Sequence, residues 1–400
     1  MLFRSAYAAP WVIGVAASAC DGPTGRRERD ETSLAVLGLI AFEDPLREGV
    51  AEALSDCRNA GIRVIMVTGD HPITAHAVAE GLDLPHEGDE GDLIATGDDL
   101  DDASPDEIDA LTSEVNVFAR TRPEQKHLIV ESLRRRGETV AVTGDGINDA
   151  PALRASDIGV AMGRRGTGVA REAATIVLLD DNFATIVEAT RNGRRIYDNL
   201  TRAFAYIIAF HPPLLIAALV APILDRPLLL LPVHLVVLEV LLHPVVSLVF
   251  QAEPADADVM ARPPRPAGYA LQPAALWRPF AVGVAVGAGV VWVYLAALGW
   301  HWPVAEARAL GFVTIVVAQA PLLLVERSPE APLWRSPPVL TRELLGAWAA
   351  IGVTVVAVLF VPPVAHVTKM HVFPASGWWA VAAVALGATL WSEPLKRRRG

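Results

Sequence analysis

The distribution of apolar positions divides the chain near residue 200. Before it, short apolar runs alternate with segments of helical spacing; after it, long apolar stretches follow one another with brief polar or proline-containing breaks. In the first half, Leu34–Ala41 (LAVLGLIA) is long enough for a buried strand, and Ile62–Val67 (IRVIMV), Thr139–Val142, Ile158–Ala161 and Thr175–Leu178 read as further short strands. Val50–Ala60 has helical spacing and closes at Gly61, and Ile73–Gly81 and Gln125–Arg136 read as helices. Strands alternating with helices predict a parallel sheet covered by helices on both faces. Ligands of such sheets bind beyond the carboxyl ends of the strands.

In the second half, six stretches, near residues 203–223, 228–250, 279–299, 309–326, 344–361 and 376–392, predict six membrane-crossing helices. The shortest contains Trp378, Trp379 and Trp391, which suit the membrane interfaces. If the first helix leaves from the cytoplasm, the inner loops and tail hold ten basic residues, from Arg262 to Arg399, against Arg226, Arg308 and Lys369 outside. That asymmetry predicts an integral membrane protein, in a bacterial plasma membrane, whose soluble part and C-terminus are cytoplasmic.

Composition sharpens the division. Hydrophobic residues make up 52% of the 400 and the mean hydropathy is +0.36, high for a soluble chain. Residues 1–200 hold 35 acidic and 20 basic residues, and residues 201–400 hold 10 and 14, so the net charge passes from −15 to +4. The acidic soluble half excludes nucleic acid as a partner, because it repels phosphate backbones. Cys20 and Cys57 lack metal-ligand spacing and read as free thiols of a reducing cytosol. Asp83–Glu114 carries 13 acidic residues and no Lys or Arg; a solvated loop and helix face is the simpler reading, a metal site the alternative. Ala6–Ala19, broken by Pro10, has only Arg4 before it, which makes a poor signal peptide.

Three motifs fall at strand ends. Thr143–Pro151 (TGDGINDAP) follows a strand, and its glycines let the backbone turn sharply toward a ligand. Asp145 and Asp149 flank Asn148, so two carboxylates and an amide converge on a small space that suits Mg²⁺, which takes oxygen ligands and keeps waters while contacting phosphate. A surface Asp/Asn/Gly turn is the plainer alternative. Thr68-Gly69-Asp70 also follows a strand and offers a hydroxyl and amides to a phosphoryl oxygen, although a plain turn fits as well. Lys126, in RPEQK at a helix start, either puts a point charge on a transferring phosphoryl group or is a solvated surface lysine.

GLIAFEDPLREGV, GIRVIMVTGD, VFARTRPEQKHLIV, TGDGINDAPALRASDIGVAMG, GTGVAREAATIVLLDDNF and ADVMARPPRP occur in this order between about residues 10 and 266. They resemble the corresponding segments of P-type ATPases, most closely the calcium-pump-like type II group. The resemblance implies a partial α/β haloacid-dehalogenase-like (Rossmann-like) phosphorylation domain over residues 34–200, after a remnant of a nucleotide-binding domain over 1–33, and an all-α bundle of six transmembrane helices over 201–400. It implies ATP-driven cation transport with ATP and Mg²⁺. Asp145 becomes the Mg²⁺ ligand, with Asp149 and Asn148 shaping its site. Thr68, Gly69 and Asp70 face the phosphoryl group, Lys126 stabilises it, and Asp44 and Pro45 fall in a hinge. Ala6–Ala19 resembles the last strand of the nucleotide-binding domain. Six helices after this domain disfavour the heavy-metal pump class, which by resemblance has two.

The sequence departs from the family pattern. It has no DKTGT segment, whose Asp the family phosphorylates, no TGES-type segment, and nothing resembling the first four membrane helices. Three expectations follow: half of a pump whose separate N-terminal half carries DKTGT, or part of a longer chain; an inactive remnant serving as a membrane-bound partner; or a haloacid-dehalogenase-type phosphatase with a membrane tail, for which no nucleophilic Asp in a DxD or DKTGT context is found.

In the first two membrane stretches, His211, His234, Glu239 and His243 are rare polar residues, and Glu239 and His243 share a helix face. Pro212, Pro213 and Pro244 free backbone carbonyls nearby. By resemblance to calcium pumps these helices hold the transported cation, and His211, Glu239 and His243 are its candidate ligands, with Leu214 at a fourth aligned position. Two carboxylates are exchanged for imidazoles, which suits a transition metal or a proton-coupled step better than Ca²⁺. Glu239 hydrogen-bonded to His243 as helix glue is the plainer reading.

Overall fold

Short apolar runs of the first half become strands of a few residues each, and the long stretches of the second become helices. The computed structural model describes residues 11–17, 25, 34–42, 46–88, 91–265, 273–328, 331–335 and 339–396. Asp44, Pro45, Cys20 and the basic residues after Lys396 lie outside these, as do most of residues 1–33. The chain forms two compact units: Met1–Arg191 with Ala257–Ala267, and Asn192–Asp256 with Gly268–Gly400.

In the first unit, β1 (Trp11–Ala17) pairs antiparallel with β2 (Ala35–Phe42). β4 (Glu87–Gly88) and β5 (Gly91–Asp92) make a small antiparallel pair. The remaining strands form two parallel sheets, not the one expected. One is ordered β3 (Met66–Val67), β7 (Val117–Ala119), β6 (Ile94–Thr96). The other is ordered β10 (Ile176–Leu178), β9 (Ile158–Met162), β8 (Ala141–Gly144). Among the described residues, β3 and β8 are edges that pair on one side only. The run Ile62–Val67 yields a strand of only two residues. Its start is used to close the preceding helix: Gly61 takes a left-handed φ of 67°, and the Ile62 amide donates to the Cys57 carbonyl at 2.8 Å.

The helices of this unit are α1 (Val50–Asn59), α2 (Pro72–Gly81), α3 (Gly97–Leu100), α4 (Pro105–Glu114), α5 (Pro123–Arg135), α6 (Ala150–Ala155) and α7 (Gly168–Ala173). Six of the 13 acidic residues of the Asp83–Glu114 stretch lie on α3 and α4. Ser104 caps α4, its amide donating to the Glu107 carboxylate at 2.7 Å, and Asp106 and Glu107 complement the helix's positive end. α5 packs against both sheets. Ile129 joins the core of Phe118, Ala95 and Ile108, Val130 joins Val140 and Ala152, and Leu133 touches both clusters. Burying Ile129 and Val130 contributes about 1.5–3 kcal/mol each. The exposed pair between Arg134 and Asp157, at 3.1 Å, contributes about 0–1 kcal/mol, so apolar contact holds α5 in place.

α8 (Phe183–Ile223) contains the boundary between the units. In the second unit follow α9 (Pro232–Val236), a π-helical segment Val237–Leu242, α10 (His243–Gln251), α11 (Pro273–Gly299), α12 (Val304–Arg327), α13 (Arg342–Phe360), α14 (Pro362–Thr368) and α15 (Gly377–Leu390). Five spans among the described residues are long and apolar enough to cross a membrane: α8, the composite Pro232–Gln251, the Leu276–Gly299 part of α11, α12 and α13. The expected sixth is shorter. α15 has 14 residues, about 21 Å against a hydrocarbon core of about 30 Å. α12 is the centre of this unit, with 78% of its apolar window buried against at most 50% for the others. α11 meets α8 through glycines: a Cβ on Gly283 would stand 2.4 Å from the Ala209 carbonyl oxygen, and one on Gly287 3.0 Å from Pro213 Cα. Small residues permit such close approach between membrane helices, here beside a carbonyl that Pro213 leaves without its helical donor.

Candidate phosphoryl and cation sites

In the first unit, the candidate residues collect at the N-terminal end of α5. β8 ends at Gly144, and Asp145 and Gly146 lead into a 3₁₀ turn, Ile147–Asp149. The turn folds back on itself: the Asp149 carboxylate accepts from the amides of Asp145 at 3.2 Å and Gly146 at 3.0 Å. A Cβ at Gly144 would fall 2.5 Å from that of Asp149, so only glycine permits this fold. The other Asp149 oxygen accepts from Lys126 Nζ at 2.8 Å. Asp149 thus belongs to the scaffold of the turn, while Asp145 and Asn148 leave their side chains exposed.

The second motif is tied to the same helix start. Thr68 Oγ1 donates to the Asp70 carboxylate at 3.0 Å and accepts from the Asp70 amide at 3.1 Å. The Thr68 carbonyl accepts from the Thr121 amide at 3.0 Å and the Thr121 hydroxyl at 2.9 Å, and the Asp70 carbonyl from the Arg120 amide at 2.9 Å. Thr121 and Lys126 therefore fix the ends of β3 and β8 relative to one another. Gln125, buried between them, donates to the Gly97 carbonyl at 2.8 Å. Sequence reasoning assigned no role to Thr121 or Gln125, though both lie in a segment that carries the family resemblance. Asp181 was missed as well; it accepts from the amides of Arg164 and Arg165 at 3.0 and 2.9 Å and closes the loop after β9.

Burial by itself pushes the Asp149 carboxyl up, but the Lys126 ammonium and the amides of Gly146 and Asp145 outweigh it and hold the group below the usual carboxylate range. A depressed folded-state value adds stability that is complete above the ordinary range, near pH 4, and is lost as the pH falls through the depressed value. Exchange of the Asp145 and Gly146 amides, corrected for its intrinsic pH dependence, is therefore expected to accelerate on acidification below about pH 4. Asp149→Asn should remove that step, and protection that stays flat down to pH 2 in the unaltered chain would contradict the assignment.

The donor set fits Mg²⁺: an exposed carboxylate, Asp145, stands at a strand end beside an ordered turn and a lysine, and Mg²⁺ commonly takes one or two carboxylates and completes its shell with water and phosphate. No group of three or more His, Cys, Asp or Glu side chains among the described residues is arranged to hold a metal by itself.

In the second unit, His211, Glu239 and His243 come together. His243 Nδ1 lies 3.2 Å from one Glu239 oxygen and His211 Nε2 3.6 Å from the other. His211 Nδ1 faces the Ile207 carbonyl at 2.8 Å, which requires the proton on Nδ1. His243 stacks on Phe210 with ring centroids 4.6 Å apart. Glu239 lies within the π-helical segment, an insertion of the kind frequent at functional sites. Tyr206 and Gln319, which sequence reasoning passed over, are both buried and joined at 2.8 Å, and the Tyr206 ring is 5.9 Å from that of His243. His234 is fully buried and serves the fold: it accepts from the Leu231 amide at 3.0 Å and meets the Thr368 carbonyl at 2.8 Å.

Comparison with known proteins agrees with both units. Residues 18–157 match the family described as haloacid dehalogenase-like hydrolase. Residues 227–398 match that described as cation transporting ATPase, C-terminus. The chain belongs to the P-type cation ATPases, and carries their hydrolase-like region and C-terminal membrane region. It is 34% identical over 367 residues to a calcium-transporting ATPase of Bacillus subtilis (strain 168), a match covering 91% of this chain and 41% of the relative. It is 42% identical over 258 residues to the sodium/potassium-transporting ATPase subunit alpha-3 of Gallus gallus, covering 58% of this chain and 25% of the relative. A sodium/potassium-transporting ATPase subunit alpha of Tetronarce californica is 43% identical over the same length. The chain thus spans less than half the length of these relatives.

Proposed function

We propose that the chain is the part of an ATP-driven cation pump that holds the Mg²⁺ of the phosphoryl site and the transported ion. The observation that carries this reading is the pair of ties at the start of α5, Lys126 to Asp149 at 2.8 Å and Thr121 to Thr68 at 3.0 Å, which set two Thr-Gly-Asp strand ends around one lysine. In this reading residues 34–200 are a partial phosphorylation domain, residues 1–33 the remnant of a nucleotide-binding domain, and residues 201–400 the transport domain. Asp145 holds Mg²⁺, which neutralises phosphoryl charge when bound. Thr68 and Gly69 present a hydroxyl and an amide to a phosphoryl oxygen, Asp70 orients the Thr68 hydroxyl, and Lys126 adds positive charge while holding Asp149 in place. Glu239 with its two histidines receives the cation in the membrane.

Inverted membrane vesicles from the source cells, with the gene intact or deleted, test this. ATP- and Mg²⁺-dependent uptake of a tracer cation, with Ca²⁺, Na⁺, K⁺, Mn²⁺ and Zn²⁺ offered in turn, is expected only with the gene intact. Identical fluxes in the two preparations for every ion would overturn it.

The reading also requires α15 to cross the membrane despite its length, with the bilayer thinned locally and Trp378, Trp379 and Trp391 near its ends. An enzymatic reporter fused after Gly400 is then expected to report a cytoplasmic C-terminus. An extracytoplasmic signal would mean that α15 stays on one side.

A further inference from the structure

The membrane spans of α8 and α11 end together in the second unit. That of α8 closes at Ile223 and that of α11 at Gly299. A cavity of about 270 Å³ lies between the two ends, lined by Leu224, Arg226, Leu295, Leu298 and Gly299. Leu295 and Leu298 are one helical turn apart, pack on the core of the unit and give the cavity an apolar wall. The loop that brings Arg226 to it is held on three sides. The Leu224 and Arg226 amides donate to the Val220 and Ala221 carbonyls at 3.1 and 2.8 Å. The Tyr294 hydroxyl of α11 donates to the Pro227 carbonyl at 2.6 Å, and Arg308 Nε of α12 donates to the Leu228 carbonyl at 3.1 Å. Arg308 also donates to the Lys369 carbonyl at 3.1 Å, so the fold uses its guanidinium. The Arg226 side chain, by contrast, is exposed and has no hydrogen bond or ion pair among the described residues. The neighbouring Asp225 takes a left-handed φ of 51° and is not among the residues that line the cavity.

We propose that Arg226 and the hollow formed by Leu224, Leu295 and Leu298 are a binding site for one anionic membrane phospholipid, its phosphodiester on the guanidinium and the start of an acyl chain against the leucines. Three things favour this occupant. The guanidinium is a planar fork that pairs with two phosphate oxygens at once, and here no protein carboxylate competes for it. The site stands where two membrane spans stop, which is the level of lipid headgroups, and the exposed Trp300 follows directly on Gly299, as indoles do at that level. The leucine wall gives nothing to a soluble phosphate but buries hydrocarbon from a lipid. An arginine at a span end commonly reaches into bulk headgroups without choosing among them; the fixed loop and the hollow are what make this position selective. The site needs a bilayer around the second unit but neither ATP nor a transported ion, so it goes beyond the pump reading.

The probe is dioleoyl phosphatidylglycerol, offered to the delipidated full chain in detergent without ATP or Mg²⁺, with dioleoyl phosphatidylcholine and glycerol 1-phosphate as comparisons. Native mass spectrometry is expected to show one more tightly held phosphatidylglycerol on the unaltered chain than on Arg226→Gln, which sets aside any lipid held by the basic C-terminal tail. That molecule should bind at least tenfold more tightly than phosphatidylcholine. Because the Arg226 side chain has no partner among the described residues, Arg226→Gln should leave the lipid-free melting temperature unchanged. Gly299→Phe keeps the arginine and adds a ring where a Cβ would meet nothing within 4 Å, and it should also weaken binding at least tenfold. Equal retention of the two lipids would mean that acyl packing alone holds them. Displacement by glycerol 1-phosphate would make this a site for soluble phosphate esters. Unchanged retention by Arg226→Gln would mean that the arginine only reaches into bulk headgroups, and unchanged retention by Gly299→Phe that the hollow takes no part. Each of these outcomes overturns the site. Selective retention without any ATP-dependent flux would sink the pump reading and leave the lipid site; flux without selective retention would do the reverse.

Discussion

Asp145→Asn is expected to reduce Mg²⁺-dependent phosphoryl transfer by the pump by about 10²-fold or more, some 3 kcal/mol of transition-state stabilisation, while leaving the chain folded. The expectation follows from the different positions of the two aspartates in TGDGIND. Asp149 is engaged by Lys126 and by two amides of its own turn, so its loss disturbs the scaffold. Asp145 lends the turn its amide and carbonyl, the latter accepting from the Thr167 amide at 2.8 Å, but its carboxylate remains exposed. An amide at that position keeps the size and the backbone bonds and removes only the charge a dication needs. Phosphoenzyme formation titrated with Mg²⁺ should show the loss, and exchange protection of Gly144–Ala155 should be unchanged. Near-normal phosphorylation at low Mg²⁺ would refute Asp145 as the ligand. A parallel fall in protection would assign it to the scaffold instead.

The sequence made strand ends and turn chemistry legible because both depend on local patterns. Gly61, read as a helix stop, adopts the left-handed conformation that reading requires, and the Thr-Gly-Asp strings stand at strand ends. What remained hidden depends on long-range pairing. Val117–Ala119 is three residues long, too short for any periodicity, yet it is the central strand of its sheet. The separation of the strands into two sheets follows from which edges pair, and no run of apolar residues encodes that. Charge patterning left the partners of the charges equally hidden. Arg278 and Lys396 were counted among the basic residues of the inner loops and tail, and the structure buries both, with Glu326 and Glu393, in the second unit. Arg278 pairs with Glu326 at 2.8 Å, Lys396 pairs with Glu393 and donates to the Val325 carbonyl at 2.7 Å, and the Leu333 amide donates to Glu393 at 2.8 Å. Such groups tolerate burial only when paired or hydrogen-bonded, and these contacts join residues 48 and 71 positions apart as well as near neighbours. In α8–α10 the i, i+4 relation of Glu239 and His243 was readable, whereas the approach of His211 from another helix was not.

Glu239→Ala is expected to abolish ion-stimulated phosphorylation by the pump while the protein still folds and inserts. A carboxylate in mid-membrane costs about 2.5–3.5 kcal/mol on insertion scales, so its removal does not by itself endanger the helix. The π-helical segment that carries it has departed from regular α-helical hydrogen bonding, and Pro212 and Pro213 on α8 leave the carbonyls four residues before them without their helical donors. At 3.2 and 3.6 Å, the two imidazoles hydrogen-bond or ion-pair with Glu239 and do not converge with it on a common point. An entering cation therefore has to move them from these positions before all three side chains can face it. Tyr206 and Gln319 bind each other beside the cluster. Glu239→Gln should keep the packing and lose most ion stimulation. If Glu239 instead only ties α8 to the segment before α10, Glu239→Ala would lower the melting temperature and leave the ion concentration for half-stimulation unchanged, and the ion would have to bind elsewhere in the second unit.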